Sequence, residues 1–179
     1  IPTEIKPYEK KASMKLIWEN NIGDNDVNNL NLIFSEEFVI AATSDGSLRK
    51  MQIENGKTIW EKDISEEIMI GVGGDFENIL FITENSYLWC LDSEGNAIWK
   101  IFIDGEVLTT PVINNKKVYV RLANYEILQI DLKQGDIDWR YIHSSPPLAF
   151  NGISPLTFSD GVIYGGFGAG KLVAVHQKS

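Results

Sequence analysis

Trp18, Trp60, Trp99 and Trp139 stand 42, 39 and 40 residues apart, and the last three each close a nearly identical phrase. A period near forty restricts a chain to tandem copies of one supersecondary unit, each of which buries its apolar surface only against the next. The copies are Phe38 to Ile64, Ile79 to Ile103 and Val118 to His143, and a fourth begins at Val162. Leu48, Leu88, Leu128 and Leu172 fall at equivalent positions, as do Gly56, Gly95 and Gly135, each four residues ahead of its tryptophan.

Each copy is a run of short β-rich segments divided by turn residues, and no stretch of ten or more residues has helical spacing. In the third copy the spacing predicts strands at Thr110 to Ile113, Lys117 to Leu122, Glu126 to Asp131 and Ile137 to Ile142. Four strands per forty residues make an up-and-down sheet with two apolar faces, and such sheets stack as blades about an axis. The expected fold is therefore all-β, a β-propeller of four-stranded antiparallel blades. Leucine-rich and helical solenoids share the period, but they need asparagine ladders or amphipathic helices, and the sequence has neither.

The tryptophan phrase has a mechanical reading. Gly56, Gly95 and Gly135 lie in the turn between third and fourth strands, where the chain needs φ > 0. Asp92 and Asp131 precede that turn and are placed to accept its backbone N–H groups, while Gln52 stands at this point in the first copy. The indole four residues on is expected to pack against the adjoining sheet with its N–H bonded. Repetition assigns these residues to architecture and not to one ligand site.

With 44% hydrophobic and 11% aromatic residues in 179, the chain has enough apolar surface for a sizeable core. A formal charge of −9 argues against recognition of nucleic-acid phosphates or anionic lipids and favours protein partners. The longest apolar stretches, such as Ile79 to Ile82 and Leu172 to Val175, fall far short of the ~20 residues of a spanning helix. Cys90 is the single cysteine, which excludes an internal disulfide.

No catalytic, cofactor or metal site emerges from the remaining motifs. Gly165 to Lys171, GGFGAGK, has phosphate-loop spacing, but Leu172 follows the lysine where Ser or Thr is required, and a strand follows in place of a helix. Register places GFGAG in a hairpin between second and third strands. Asp24 to Asn28 opens like a calcium loop but has Asn29 and Ser35 where glycine and a bidentate glutamate belong. His143 and His176 are too few for a metal cluster or a Ser-His-Asp arrangement. Cys90, within Leu88 to Leu91, reads as a buried inert thiol. Glu36-Glu37 and Glu66-Glu67 read as solvated turns. More informative is the long connector His143 to Ser154, HSSPPLAFNGIS, which carries Leu148 and Phe150 among small and polar residues and so suits partner binding.

The order small residue, strand, Asp, turn Gly and Trp resembles the tryptophan-docking motif of eight-bladed quinoprotein-like propellers. Within that group the chain is more similar to the outer-membrane assembly lipoprotein family BamB than to the pyrroloquinoline-quinone alcohol dehydrogenases. SDGSLRKMQIENGKTIWEKDI resembles the family's first full blade, GEVLTTPV resembles its GE-x-L-x-x-P-V entry, and Pro2-Thr3 through Trp18 resembles its extended N-terminus. The resemblance implies a non-catalytic scaffold without a cofactor, lipid-anchored on the periplasmic face of the outer membrane. It implies BamA periplasmic (POTRA) domains as partner, with nascent outer-membrane proteins as further clients. In the family's L-x-L-R-G connector, Leu148 matches the first leucine, Phe150 the second, Asn151 the arginine and Gly152 the glycine. Asn151 lacks the guanidinium, which shifts the burden of binding to the apolar anchors. A quinone-dependent dehydrogenase fragment and a generic propeller interaction module remain as alternatives.

Against an eight-bladed norm the chain is about half a ring, three full blades plus partial ones. The expected plan is an extended segment 1–13, a closing strand 14–22, blades at about 30–64, 68–103 and 108–143, the connector 144–153, and an incomplete blade 154–179. This reads as a piece of a longer propeller whose open strand edges would promote self-association. Met14 to Ile22 is expected to complete the fourth blade, within one chain or across a swapped dimer.

Overall fold

The computed structural model describes residues 13–23, 32–142, 154–167 and 170–177. Every regular element in them is a strand. The first sheet holds β1 (Ile33–Phe34), β2 (Phe38–Ala42), β3 (Ser47–Gln52) and β4 (Thr58–Asp63). The second holds β5 (Ile68–Gly74), β6 (Asn78–Thr83), β7 (Tyr87–Asp92) and β8 (Ala97–Phe102). The third holds β9 (Val112–Asn114), β10 (Lys117–Arg121), β11 (Glu126–Asp131) and β12 (Ile137–Ile142). The fourth holds β13 (Thr157–Ser159), β14 (Val162–Phe167) and β15 (Lys171–His176). Each is an antiparallel meander in sequence order, and the sheets stack as propeller blades.

The period-two alternation of the central strands explains the stacking. In β6, Ile79 and Phe81 project toward the first sheet, where they join Ile40, Ala42 and Leu48. Leu80 and Ile82, between and after them, project the other way and join Val118, Val120 and Leu128 of the third sheet. Such a strand has no polar side because both of its faces are covered. The same division recurs in β10 and β11, whose Tyr119 and Ile127 meet Leu156, Ile163 and Phe167 of the fourth sheet. Strand register therefore makes Ile127, and not Leu128 as expected, the counterpart of Leu48, Leu88 and Leu172; Leu128 faces the second sheet. Three apolar layers therefore cement four sheets, and the inner strand β5 packs against β1, β2 and β9. The outermost strands β4, β8 and β12 have one exposed side, as edges facing solvent should.

Several expectations need correction. The third sheet begins at Val112 and not at Thr110, because Pro111 has no N–H to give a ladder. Strand β10 ends at Arg121, and Leu122 makes only an isolated bridge to Val107. Gly165 and Gly166 lie inside β14, paired with Val173 and Leu172, so the hairpin is shorter than the GFGAG reading required. No helix follows Lys171. Met14 to Ile22 forms no strand; Trp18 and Ile22 pack on the open flank of the first sheet, against Val39, Ala41 and Met51.

Candidate functional site

In an up-and-down sheet, the turns after first and third strands lie on one face of the propeller, and those after second and fourth strands lie on the other. The described sheet-to-sheet connections belong to the second face, as do the end of β12 and residues 154–156. Leu148, Phe150, Asn151, Gly152 and His143 lie outside the described residues, as does the Asp24 to Asn28 loop. What the structure describes is the frame that holds the connector.

Indoles link the blades of that frame. Trp60 Nε1 donates to the Ser93 carbonyl of the next sheet at 3.0 Å, and Trp99 Nε1 to that of Leu132 at 2.8 Å. Trp18 Nε1 does the same to Ile53 at 2.7 Å, and Asn20 Nδ2 adds a 2.6 Å bond to the Gly56 carbonyl. The three acceptors occupy one repeat position, directly after Gln52, Asp92 and Asp131. By strand register the fourth-sheet equivalent is Gln177, which follows His176, the partner of Val162. Trp139 packs 6.4 Å from Tyr119, and its Nε1 has no partner among the described residues.

The turn glycines serve these indoles in two ways. Gly56, Gly95 and Gly135 have φ of 72°, 76° and 78°, the left-handed region. A Cβ on Gly56 would also sit 2.8 Å from the Trp18 ring, and one on Gly135 2.9 Å from the Trp99 ring. Asp92 accepts from the backbone N–H groups of Glu94 and Asn96, at 2.9 and 2.8 Å, and Asp131 from those of Lys133 and Gln134, each at 3.0 Å. A bulge precedes Trp60, Trp99 and Trp139 at the same register, where they pair with Lys50, Cys90 and Gln129, and strengthens the local twist of the outer strand.

At the connector's C-terminal foot, Arg121 Nη1 donates to the Ser154 carbonyl at 2.7 Å, and its guanidinium lies 4.8 Å from the Phe167 ring centre. Arg121 is only 2% exposed, and that burial lowers its pKa from the ordinary value. Leu156, two residues beyond Ser154, is buried in the third apolar layer. Sequence reasoning missed this clamp, although the repeat contains the signal. Register aligns Arg121 with Ala42, Ile82 and Gly166, so the arginine breaks the apolar pattern of its own copy.

Elsewhere on this face Glu66 is no solvated turn residue. It accepts from Lys100 Nζ at 2.5 Å, a bond that holds its carboxyl below the usual range. The same ammonium sits 4.2 Å and 4.5 Å above the rings of Tyr87 and Trp89. Cys90 is fully buried, and burial pushes its thiol up to about 12, which leaves no thiolate nucleophile at neutral pH. Among the described residues no group of three or more His, Cys, Asp or Glu could hold a metal ion.

Residues 44–179 match the family model described as Outer membrane protein assembly factor BamB. The outer membrane protein assembly factor BamB of Bordetella pertussis is 25% identical over 176 residues, which is 98% of this chain and 46% of that protein. The chain thus spans about half the length of the curated relatives it matches. The crystal structure of BamB from Moraxella catarrhalis superposes with a TM-score of 0.72 at 22% identity, covering 82% of this chain and 45% of that one. The quinohemoprotein alcohol dehydrogenase ADHIIG of Pseudomonas putida HK5 gives 0.68 at 14% identity over 87% of this chain and 33% of that one, a likeness of fold alone.

Proposed function

This chain belongs to the outer membrane protein assembly factor BamB family, and from that membership we propose that it is a non-catalytic scaffold of outer-membrane β-barrel assembly. Its place of work is the periplasmic side of the outer membrane, where a lipid anchor on the whole protein completes the reading. The observation that carries it is the family match over residues 44–179, which spans the docked indoles Trp60 and Trp99, Trp139 and the whole connector. The partner is the set of BamA periplasmic (POTRA) domains, and nascent outer-membrane proteins are its clients.

The mechanism is geometric. A rigid stack of sheets holds 143–153 between two fixed feet, β12 and the clamped Ser154, so the connector presents its side chains with part of the ordering entropy already met. Leu148 and Phe150 are the apolar anchors, with Asn151 and Gly152 beside them. Leu148→Asp combined with Phe150→Asp should weaken capture of BamA periplasmic domains at least tenfold, with the far-ultraviolet spectrum unchanged. Equal capture by the double variant would refute the site. A titration with quinone and calcium, followed by absorbance, should give no cofactor spectrum; a stoichiometric one would revive the dehydrogenase reading.

A further inference from the structure

On the face opposite the connector, the first sheet departs from the repeat. Strand register makes Phe38 equivalent to Asn78, Lys117 and Val162. The two-residue tips between first and second strands are Glu36-Glu37, Phe76-Glu77, Asn115-Lys116 and Asp160-Gly161. Phe76 is the one apolar side chain at such a tip, and it meets Phe38 edge-to-face at 5.6 Å. Phe34, at the end of β1, is 68% exposed, and Phe76 is 45% exposed. Aromatic residues at all three places occur only where the first sheet meets the second.

These side chains floor a hollow of about 590 Å³. A second, of about 370 Å³, shares Glu36, Glu37 and Phe38 with it and extends to Ile59 on the outer strand, itself 49% exposed. Together they form a groove from the inner strand to the outer one. Three inter-strand spacings make it roughly 14 Å long, the span of about four extended residues.

The banks are acidic. Glu36, Glu37 and Glu54 are exposed and form no ion pair among the described residues. Against them, these turns have one exposed cation, Lys57. Lys50 is 7% exposed and lies beneath the floor and not on the rim: its ammonium donates to the Ser93 carbonyl at 3.1 Å and sits 4.1 Å from the centre of the Phe38 ring. At the next sheet junction the corresponding hollow has Ile98 and Asn78 in place of Ile59 and Phe38, and Lys116 and Lys133 stand beside Glu77 and Asp131. Opposite charges mix there. Of these two junctions, only the first joins an aromatic floor to a predominantly acidic rim.

We infer that this groove binds an extended segment of a partner polypeptide in which apolar and basic side chains alternate. Period-two alternation puts aromatic or aliphatic side chains onto Phe34, Phe38, Phe76 and Ile59, and turns the intervening Lys or Arg toward the carboxylates. The groove is independent of the connector, which lies on the other face.

The test uses fluorescence anisotropy with three labelled octapeptides of alternating Phe-Lys, Phe-Glu and Ser-Lys. Phe-Lys should bind, and its affinity should fall as salt rises. Phe34→Ser with Phe76→Asn should weaken it at least tenfold; both side chains are exposed, so neither substitution empties the core. Glu36→Lys with Glu37→Lys should weaken Phe-Lys and strengthen Phe-Glu. This charge variant changes only exposed turn positions and keeps the test decisive should the aromatic variant lose its fold. Phe-Glu or Ser-Lys binding as tightly as Phe-Lys, an unchanged Kd in the folded variants, or no binding up to millimolar peptide would overturn the groove. None of these outcomes bears on BamA capture, which the connector variant tests separately.

Discussion

The turn glycines show how one atom can decide a blade junction. Gly135 and Gly161 have nearly the same left-handed φ, 78° and 76°, but a Cβ on Gly161 meets nothing within 4 Å while one on Gly135 would lie 2.9 Å from the Trp99 ring. Gly161→Ala should therefore cost only the backbone term, about 1 kcal/mol. Gly135→Ala adds displacement of a packed indole and should cost about 3 kcal/mol in all. Urea unfolding of the two variants measures the difference. Equal losses would mean that φ alone selects glycine there. The indole has its own stake, since Trp99 fills the layer between second and third sheets and also donates to Leu132.

At the scale of a single turn, charge reinforces geometry. Lys117 Nζ bridges Asp131 at 2.9 Å and Asp138 at 2.8 Å, which ties the second, third and fourth strands of one sheet together. The bond from Lys117, followed by the backbone N–H of Gln134 and Lys133, holds the Asp131 carboxyl below its usual range. A carboxylate with a lowered folded pKa stabilises above its unfolded value of ~3.9 and loses that contribution as pH falls through the folded value. Asp131→Asn should thus be less stable than wild type at pH 7, and the gap should close below about pH 4. A gap that does not narrow at all as pH falls from 7 into the acid range would assign the effect to the turn's hydrogen bonds alone. The pairs are one-third exposed, so salt should narrow the gap as well.

Across the whole molecule, stability is a sum over blades and the layers between them. The second and third sheets are each covered on both sides, whereas among the described residues the first has only Trp18 and Ile22 packed on its outer flank and the fourth has three strands. Hydrogen exchange should therefore be slowest in β6, β7, β10 and β11 and fastest in β13 to β15 and residues 13–23. Uniform protection across all four sheets would indicate one cooperative unit. The two faces would separate the two proposed contacts: the connector, whose C-terminal end Ser154 is held by Arg121, and the aromatic groove with its acidic rim.

What could be read from the sequence was whatever repeats. The forty-residue period, the alternation of the central strands, the glycine four residues before Trp60, Trp99 and Trp139 and the aspartate ahead of it in two of those copies are local patterns, and copies of one unit expose them by comparison. Strands Glu126–Asp131 and Ile137–Ile142 were legible to the residue for that reason. Non-local features were not. Trp18 has the spacing of a fourth-strand tryptophan, yet only the packed chain assigned its indole to the first sheet. The partners of Arg121 and Glu66 lie 33 and 34 residues away in sequence, and Phe34, Phe38 and Phe76 converge across two sheets. A period dictates which residues share a face, but what covers that face is decided by a neighbouring sheet, and contacts between sheets exist only once the stack is built.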